Sequence, residues 1–94
     1  MEKMEYYEKL MGDMKEINPK ALKADGFDDC IIAIIYKFEG AIFLYDVDKM
    51  IDKMVKRDGM TPDEAQEYFD FNIVGAFMGE FTPAYLINED SNGR

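Results

Sequence analysis

The chain has 94 residues, 48% of them hydrophobic and 14% aromatic, with a formal net charge of −9. This length is that of a single domain, residues 1–94, and the composition is too rich in core-forming side chains for a disordered chain. One cysteine excludes an internal disulfide framework, and the lack of histidine excludes a histidine base or zinc ligand.

The first predicted element is an amphipathic helix over residues 2–17. Apolar side chains recur along it at helical spacing, at Met4, Tyr7, Met11 and Met14. Such a stripe is typical of core packing, although methionine-rich surfaces also adapt to irregular partners. Asn18 and Pro19 are expected to end the helix.

A β-hairpin is predicted next, from the runs "CIIAIIYKF" and "AIFLYD" on either side of Glu39 and Gly40. Gly40 can take the positive φ that a tight turn requires. Neither run alternates between apolar and polar residues, so both faces of the sheet are expected to be covered. Helices on both sides or another subunit could provide that cover.

Two helices with clear end signals follow the hairpin. Asp46 is predicted to cap the first helix, and Gly59 to end it. Thr61 is predicted to cap the second helix, with Pro62 at its first position and Glu64 completing a capping box.

This second helix is predicted to run from residue 62 to about 78 and to change character along its length. One face is apolar throughout, at Ala65, Tyr68, Phe69, Ile73, Ala76 and Phe77. The opposite face is acidic at first, with Asp63, Glu67 and Asp70, and then apolar, with Phe71, Val74 and Met78. The second half is therefore expected to be covered on both sides, by the N-terminal helix, a second copy or a foreign partner.

Asn72 is predicted to lie on the apolar face. A carboxamide there could bind a ligand or partner, but we favour a structural role, because buried amides bond mostly to backbone or water. Gly75 is expected to permit close approach of another backbone, and Gly79 to end the helix. Residues 82–88 predict a third strand, and residues 89–94 a frayed tail.

The elements together predict an α+β fold in the order αββααβ. We expect a three-stranded, mostly antiparallel sheet covered by helices.

Four carboxylates are predicted at the open end of the hairpin. Asp28 and Asp29 precede the first strand, and Asp46 and Asp48 follow the second. Oxygen ligands of this kind suit Mg²⁺ or Ca²⁺, but the spacing matches no EF-hand and such residues more often form turns and caps. We therefore expect no metal and no cofactor. The chain also lacks a cysteine pair and a phosphate-binding glycine loop, so we expect no enzymatic activity.

The negative charge is concentrated in the C-terminal part of the chain. Residues 58–94 contain 8 acidic residues against a single base, Arg94. Such a surface should repel nucleic acid and favour basic partners, or it simply keeps the protein soluble. No apolar run reaches the roughly 18 residues needed to span a bilayer, and the N-terminal sequence has no signal-peptide segment, so a soluble cytoplasmic protein is expected.

Several segments resemble a family of small bacteriophage-encoded proteins of uncharacterised function. They are "DGFDD" at 25–29, "YD" at 45–46 and "RDGMTPDEAQEYFDFNIVGAFMGEFTP" at 57–83. The resemblance covers about residues 25–87 and rests mainly on the long pattern DGMTxxEAxEYFxFNxxGAxxGExTP. It leaves out the N-terminal helix, which is thus expected to be a variable extension. The resemblance implies the cytoplasm of an infected bacterium as the setting.

The leading hypothesis is a non-enzymatic accessory protein that binds a bacterial protein. An acidic surface with apolar anchors could occupy a basic nucleic-acid channel and so inhibit a defence system of the CRISPR or restriction type. The predicted partner-binding residues are Asp63, Glu67, Asp70, Phe71, Val74 and Met78. Two alternatives remain: a homodimeric structural or assembly factor sealed through Phe71, Val74 and Met78, and a module that binds a divalent ion or small ligand at the hairpin end.

Overall fold

The computed structural model describes residues 4–76 and 78–87. The predicted order αββααβ is confirmed, and the fold class is α+β. The elements are α1 (Tyr6–Ile17), a 3₁₀ turn (Asp28–Cys30), β1 (Ile31–Tyr36), β2 (Ala41–Asp46), α2 (Val47–Asp58), α3 (Pro62–Tyr68), a π-helical segment (Phe69–Val74) and β3 (Ala84–Leu86). The predicted tail at 89–94 lies outside the described residues.

The three strands form one sheet in the order β1-β2-β3. β1 and β2 are antiparallel and make the predicted hairpin, whose turn is closed by hydrogen bonds of 3.3 and 3.2 Å between Lys37 and Gly40. β3 pairs with β2 in parallel, so the sheet is mixed. The chain between β2 and β3 contains α2 and α3, and a crossover of this kind returns the next strand in the same direction.

Tyr45 lies at the centre of the core, with none of its surface exposed. Its hydroxyl accepts a hydrogen bond from the backbone N–H of Ala24 at 2.9 Å. Its ring lies 5.9 Å from the ring of Tyr85, which in turn meets Phe69 edge-on at 5.4 Å. These contacts join β2, β3 and the π-helical segment. The other buried members of the core cluster are Leu10, Met14, Phe27, Cys30, Ile31, Ala41, Phe43, Val47, Met50, Met54, Ala65 and Ile73.

The two faces of the sheet are covered unequally. Alternate residues of β2, Ala41, Phe43 and Tyr45, belong to the core cluster. On the other face, Ile42 is only 5% exposed, and its neighbour Leu44 is half-buried. Both faces of β2 are therefore covered near Ile42, as expected, but the second face is only partly covered further along the strand.

Helix α1 begins later than predicted, at Tyr6, where the N–H of Glu5 donates to Glu8 Oε1 at 2.9 Å. It ends at Ile17 as predicted, with Asn18 as its C-cap. Asn18 is 9% exposed, and its carboxamide donates to the carbonyl oxygen of Ala41 at 2.8 Å. Asn18, not Asn72, is thus the buried amide that holds backbone in place.

The caps predicted for α2 and α3 are present. Asp46 Oδ1 accepts from the N–H of Lys49 at 3.3 Å, and Gly59 ends α2 with φ +73°. Thr61 Oγ1 accepts from the N–H of Glu64 at 3.1 Å, while Glu64 Oε1 accepts from the N–H of Thr61 at 2.9 Å.

The last helical stretch ends at Val74 rather than near residue 78. Gly75, a poor helix former, follows with an ordinary φ of −71°. Gly79 has φ +104°, but it lies in a separate turn and does not cap the helix. In that turn the Thr82 hydroxyl accepts from the Met78 N–H at 2.8 Å and donates to the Gly79 carbonyl at 2.7 Å. These bonds hold Met78 and Gly79 outside the helix.

Candidate partner-binding groove

An open groove of about 490 Å³ lies between the α2–α3 connection and the outer side of α3 and the π-helical segment. It is lined by Asp58, Gly59, Met60, Glu64, Glu67, Tyr68, Phe71 and Asn72. It combines carboxylates with exposed aromatic rings, and so we treat it as the candidate site.

Local sequence signals build this groove. The left-handed conformation of Gly59 turns the chain away from α2, and the capping box of Thr61 and Glu64 starts α3 immediately afterwards. Glu67 in α3 and Phe71 in the π-helical segment both line the groove. The groove wall is therefore a helix side that changes from acidic to aromatic along its length.

The carboxylates of the groove differ in their partners. Asp58 accepts two hydrogen bonds of 2.8 Å from the Arg57 guanidinium, which lowers the pKa of that carboxyl below its usual value. Glu64 is held by its capping bond to Thr61. The side chain of Glu67 makes no hydrogen bond or ion pair with the described residues, and no lysine or arginine lines the groove. Glu67 is thus the carboxylate that is available to a partner.

The aromatic side chains of the groove are exposed. Phe71 is 75% exposed and Tyr68 is 43% exposed. Val74 is also exposed on the same segment, but it does not line the groove. Exposed rings at the edge of an acidic groove offer both apolar area and π faces to a partner.

The structure places the six predicted partner-binding residues in three positions. Glu67 and Phe71 line the groove. Asp63, Asp70 and Val74 are exposed on the same helical stretch but lie outside the groove lining, and Asp70 accepts a hydrogen bond from Gln66 at 3.1 Å. Met78 lies beyond the helix.

Met78 lines a second cavity of about 170 Å³, together with Ala24, Pro83 and Tyr85. It is exposed, and only its backbone is fixed, by the bond to Thr82. The predicted continuous apolar face of Phe71, Val74 and Met78 is therefore interrupted where the helix ends.

The predicted burial of Asn72 is wrong, because its side chain is exposed. Phe69 and Ile73 are the buried residues of the segment. A π-helix pairs residue i with i+5, so it has more residues per turn than an α-helix and each residue advances by a smaller angle. Three residues after Phe69, Asn72 has not turned back to the core and lines the groove instead.

Tyr68 and Ala76 were also predicted on the buried face, and both are exposed. Phe77 lies outside the described residues. Another backbone was expected to approach Gly75 closely. The backbone that does so belongs to the preceding helical turn, since a Cβ at Gly75 would lie 2.8 Å from the Phe71 carbonyl oxygen. Sequence reasoning thus missed Tyr68 as a groove residue. The signal that could have found it is its spacing of four from Glu64, since residues four apart lie on the same side of an α-helix.

The four carboxylates near the hairpin end are mostly engaged in other contacts. Asp28 pairs with Lys23 at 3.3 Å, and Asp29 pairs with Lys53 at 2.7 Å, a hydrogen bond that lowers the pKa of Asp29. Asp46 caps α2, and Asp48 lies in its first turn. Across residues 4–76 and 78–87, no three acidic or cysteine side chains come together as metal ligands would.

Cys30 lies beside this cluster, at the end of the 3₁₀ turn, and is buried. Burial raises the pKa of its thiol to about 11, with a further contribution from the Asp29 carboxylate. The thiolate is the reactive form, so Cys30 is a poor nucleophile at neutral pH.

Comparisons with family models, curated proteins and solved structures found no match to this chain. In the part of the chain that the structure describes, no helix has the length and apolar character needed to cross a bilayer.

Proposed function

We propose that this chain is a non-enzymatic accessory protein of phage type that binds a bacterial host protein through the groove. The partner presents a basic surface that handles nucleic acid, and binding in the host cytoplasm blocks it. Inhibition of a CRISPR or restriction system is the activity that this arrangement supports best.

The proposal rests on one observation: Glu67 and the exposed ring of Phe71 line the same groove. The side chain of Glu67 has no partner among the described residues. Charge complementarity attracts and orients a basic partner, while a desolvated ring supplies binding free energy. Asp63 and Asp70 extend the negative charge beside the groove. With the net charge of −9, they favour a protein partner over direct contact with nucleic acid.

The test is a plating assay in bacteria that carry one defined CRISPR or restriction system. Expression of the wild-type chain should restore plating of a targeted phage, and the purified chain should prevent the isolated effector from binding DNA. The double variant Glu67→Lys and Asp70→Lys should lose both effects, because it reverses the charge beside Phe71.

The double variant Glu16→Lys and Glu39→Lys is the matched control, since both residues are exposed carboxylates outside the groove lining. It should inhibit as well as the wild type. If the double variant of Glu67 and Asp70 also inhibited fully while remaining folded, the groove would not be the binding surface. If the wild type inhibited no system with a basic effector, the anti-defence function would be wrong.

A homodimeric structural or assembly factor is the second candidate. It is favoured by the exposure of Phe71 and Val74 on one helical stretch, which a second copy could cover. Light scattering should then give a dimer mass for the wild type and a monomer mass for Val74→Glu. A monomeric wild type at micromolar concentration would remove this candidate.

A further inference from the structure

The groove combines groups that recognise a planar cation better than a compact one. Tyr68 and Phe71 present exposed rings, Glu67 presents a carboxylate, and Asn72 adds an exposed carboxamide. A guanidinium can stack on a ring while its edge donates to a carboxylate or amide oxygen. A lysine ammonium is more strongly hydrated and cannot stack in this way.

The chain already contains one arginine bound by the same kinds of group. The guanidinium carbon of Arg57 lies 5.0 Å from the centre of the Phe27 ring. Its NH1 donates to the Gly26 carbonyl oxygen at 2.8 Å, and its other nitrogens donate to the Asp58 carboxylate. A ring, a carbonyl oxygen and a carboxylate thus bind a guanidinium next to the groove.

We propose that the groove is an arginine-recognition site, in which a partner's guanidinium stacks on Phe71 and pairs with Glu67. This inference rests on the proposed function, because it specifies the chemistry by which a basic partner is bound. The charge of the lining supports it: the lining has carboxylates at Asp58, Glu64 and Glu67 and no cation. Asp58 already accepts hydrogen bonds from Arg57, and Glu64 accepts one from the Thr61 N–H in the cap of α3. Glu67 is therefore the carboxylate that pairs with the partner's guanidinium.

The probes are an arginine–glycine repeat peptide and a lysine–glycine repeat peptide of equal length and charge, both acetylated and amidated. Each is titrated into the isotopically labelled full chain at physiological ionic strength and followed by NMR. The arginine peptide should bind at least about threefold more tightly. The largest shift changes should fall on Tyr68, Phe71 and Asn72.

Phe71→Leu separates stacking from charge. It should bring the two peptide affinities to near equality, mainly by weakening the arginine peptide. Phe38→Leu is the matched control, because Phe38 is a fully exposed phenylalanine at the hairpin turn and does not line the groove. It should leave the arginine preference unchanged.

Equal affinity for the two peptides would overturn the inference, as would shift changes centred away from the groove or no binding at all. In each of these cases the plating assay still decides the proposed function by itself. If the chain preferred the arginine peptide but inhibited no defence system, the groove would still be an arginine-recognition site and the anti-defence function would be wrong.

Discussion

Asn18 and Ala41 are joined by a buried hydrogen bond of 2.8 Å from the Asn18 carboxamide to the Ala41 carbonyl oxygen. The bond ties the C-terminus of α1 to the start of β2. The oxygen of the same carboxamide accepts a hydrogen bond from the N–H of Lys20 at 3.2 Å and so stabilises the turn after α1. The amide nitrogen makes the bond to Ala41 in the hairpin. Asn18, together with the buried Leu10 and Met14, thus fixes the N-terminal helix against the sheet.

Asn18→Ala should therefore destabilise the protein by about 1–3 kcal/mol, because a buried acceptor loses its donor. Asn72→Ala is the matched control and should change stability by less than about 0.5 kcal/mol, since its side chain is exposed. Urea unfolding followed by circular dichroism measures both. Equal effects of the two substitutions would contradict the assignment of Asn18 as the structural amide.

Gly40→Ala should also be destabilising. A Cβ at Gly40 would lie 2.8 Å from the Phe81 ring and 3.2 Å from the Asn18 amide nitrogen, and its φ of +151° disfavours alanine. Gly12→Ala provides the contrast, because Gly12 is exposed within α1 and a Cβ there meets nothing within 4 Å. It should stabilise by roughly 0.5–1 kcal/mol. If Gly40→Ala matched the wild-type unfolding midpoint, the packing of the turn would be wrong.

Thr61→Ala should cost about 1 kcal/mol of stability, since it removes the oxygen that accepts the Glu64 N–H. Thr61→Ser keeps that oxygen and should retain most of the stability. Chemical denaturation of the three proteins measures the difference. If the alanine and serine variants unfolded at the same denaturant concentration, the cap would contribute nothing to stability.

Stability should fall in alkaline solution in part because of Cys30. Burial raises the pKa of the folded thiol to about 11, whereas the unfolded thiol titrates near its ordinary value of about 8.5. The unfolded state therefore releases this proton first. The contribution of the thiol is complete below the unfolded pKa and is lost as the pH rises towards the folded pKa.

The free energy of unfolding, measured between about pH 8 and pH 10, should decrease less for Cys30→Ala than for the wild type. The comparison of slopes isolates the thiol, because all other side chains are common to the two proteins. Parallel slopes would show that Cys30 contributes nothing to the alkaline loss.

Much of the fold could be predicted because it depends on residues that are neighbours in sequence. The caps at Asp46 and Thr61, the end of α2 at Gly59 and the hairpin turn at Gly40 were all predicted. Each is decided by a few adjacent side chains and backbone angles. The parallel pairing of β3 depends instead on distant contacts such as Tyr45 with Tyr85, and no local pattern encodes them.

The groove was predicted only in part, because the π-helical segment changes the helical period. Glu67 and Phe71 were identified from the change of character along one helix face. Asn72 was assigned to the wrong face, since an α-helical period was assumed where the hydrogen bonds shift to π spacing. The sequence predicted one continuous α-helix over residues 62 to about 78 and contained no signal for that shift. Tyr68, the last residue of α3, was also assigned to the buried face and is exposed.

The parallel pairing of β2 with β3 also has a kinetic consequence. Leu44 and Ala84 become neighbours only after the chain has closed a loop that contains both α2 and α3. The entropy of closing such a loop must be lost before its contacts form, and non-local pairing of this kind slows folding. The hairpin should therefore form early and β3 late, so the groove-bearing segment stays loosely held until Tyr85 packs against Phe69.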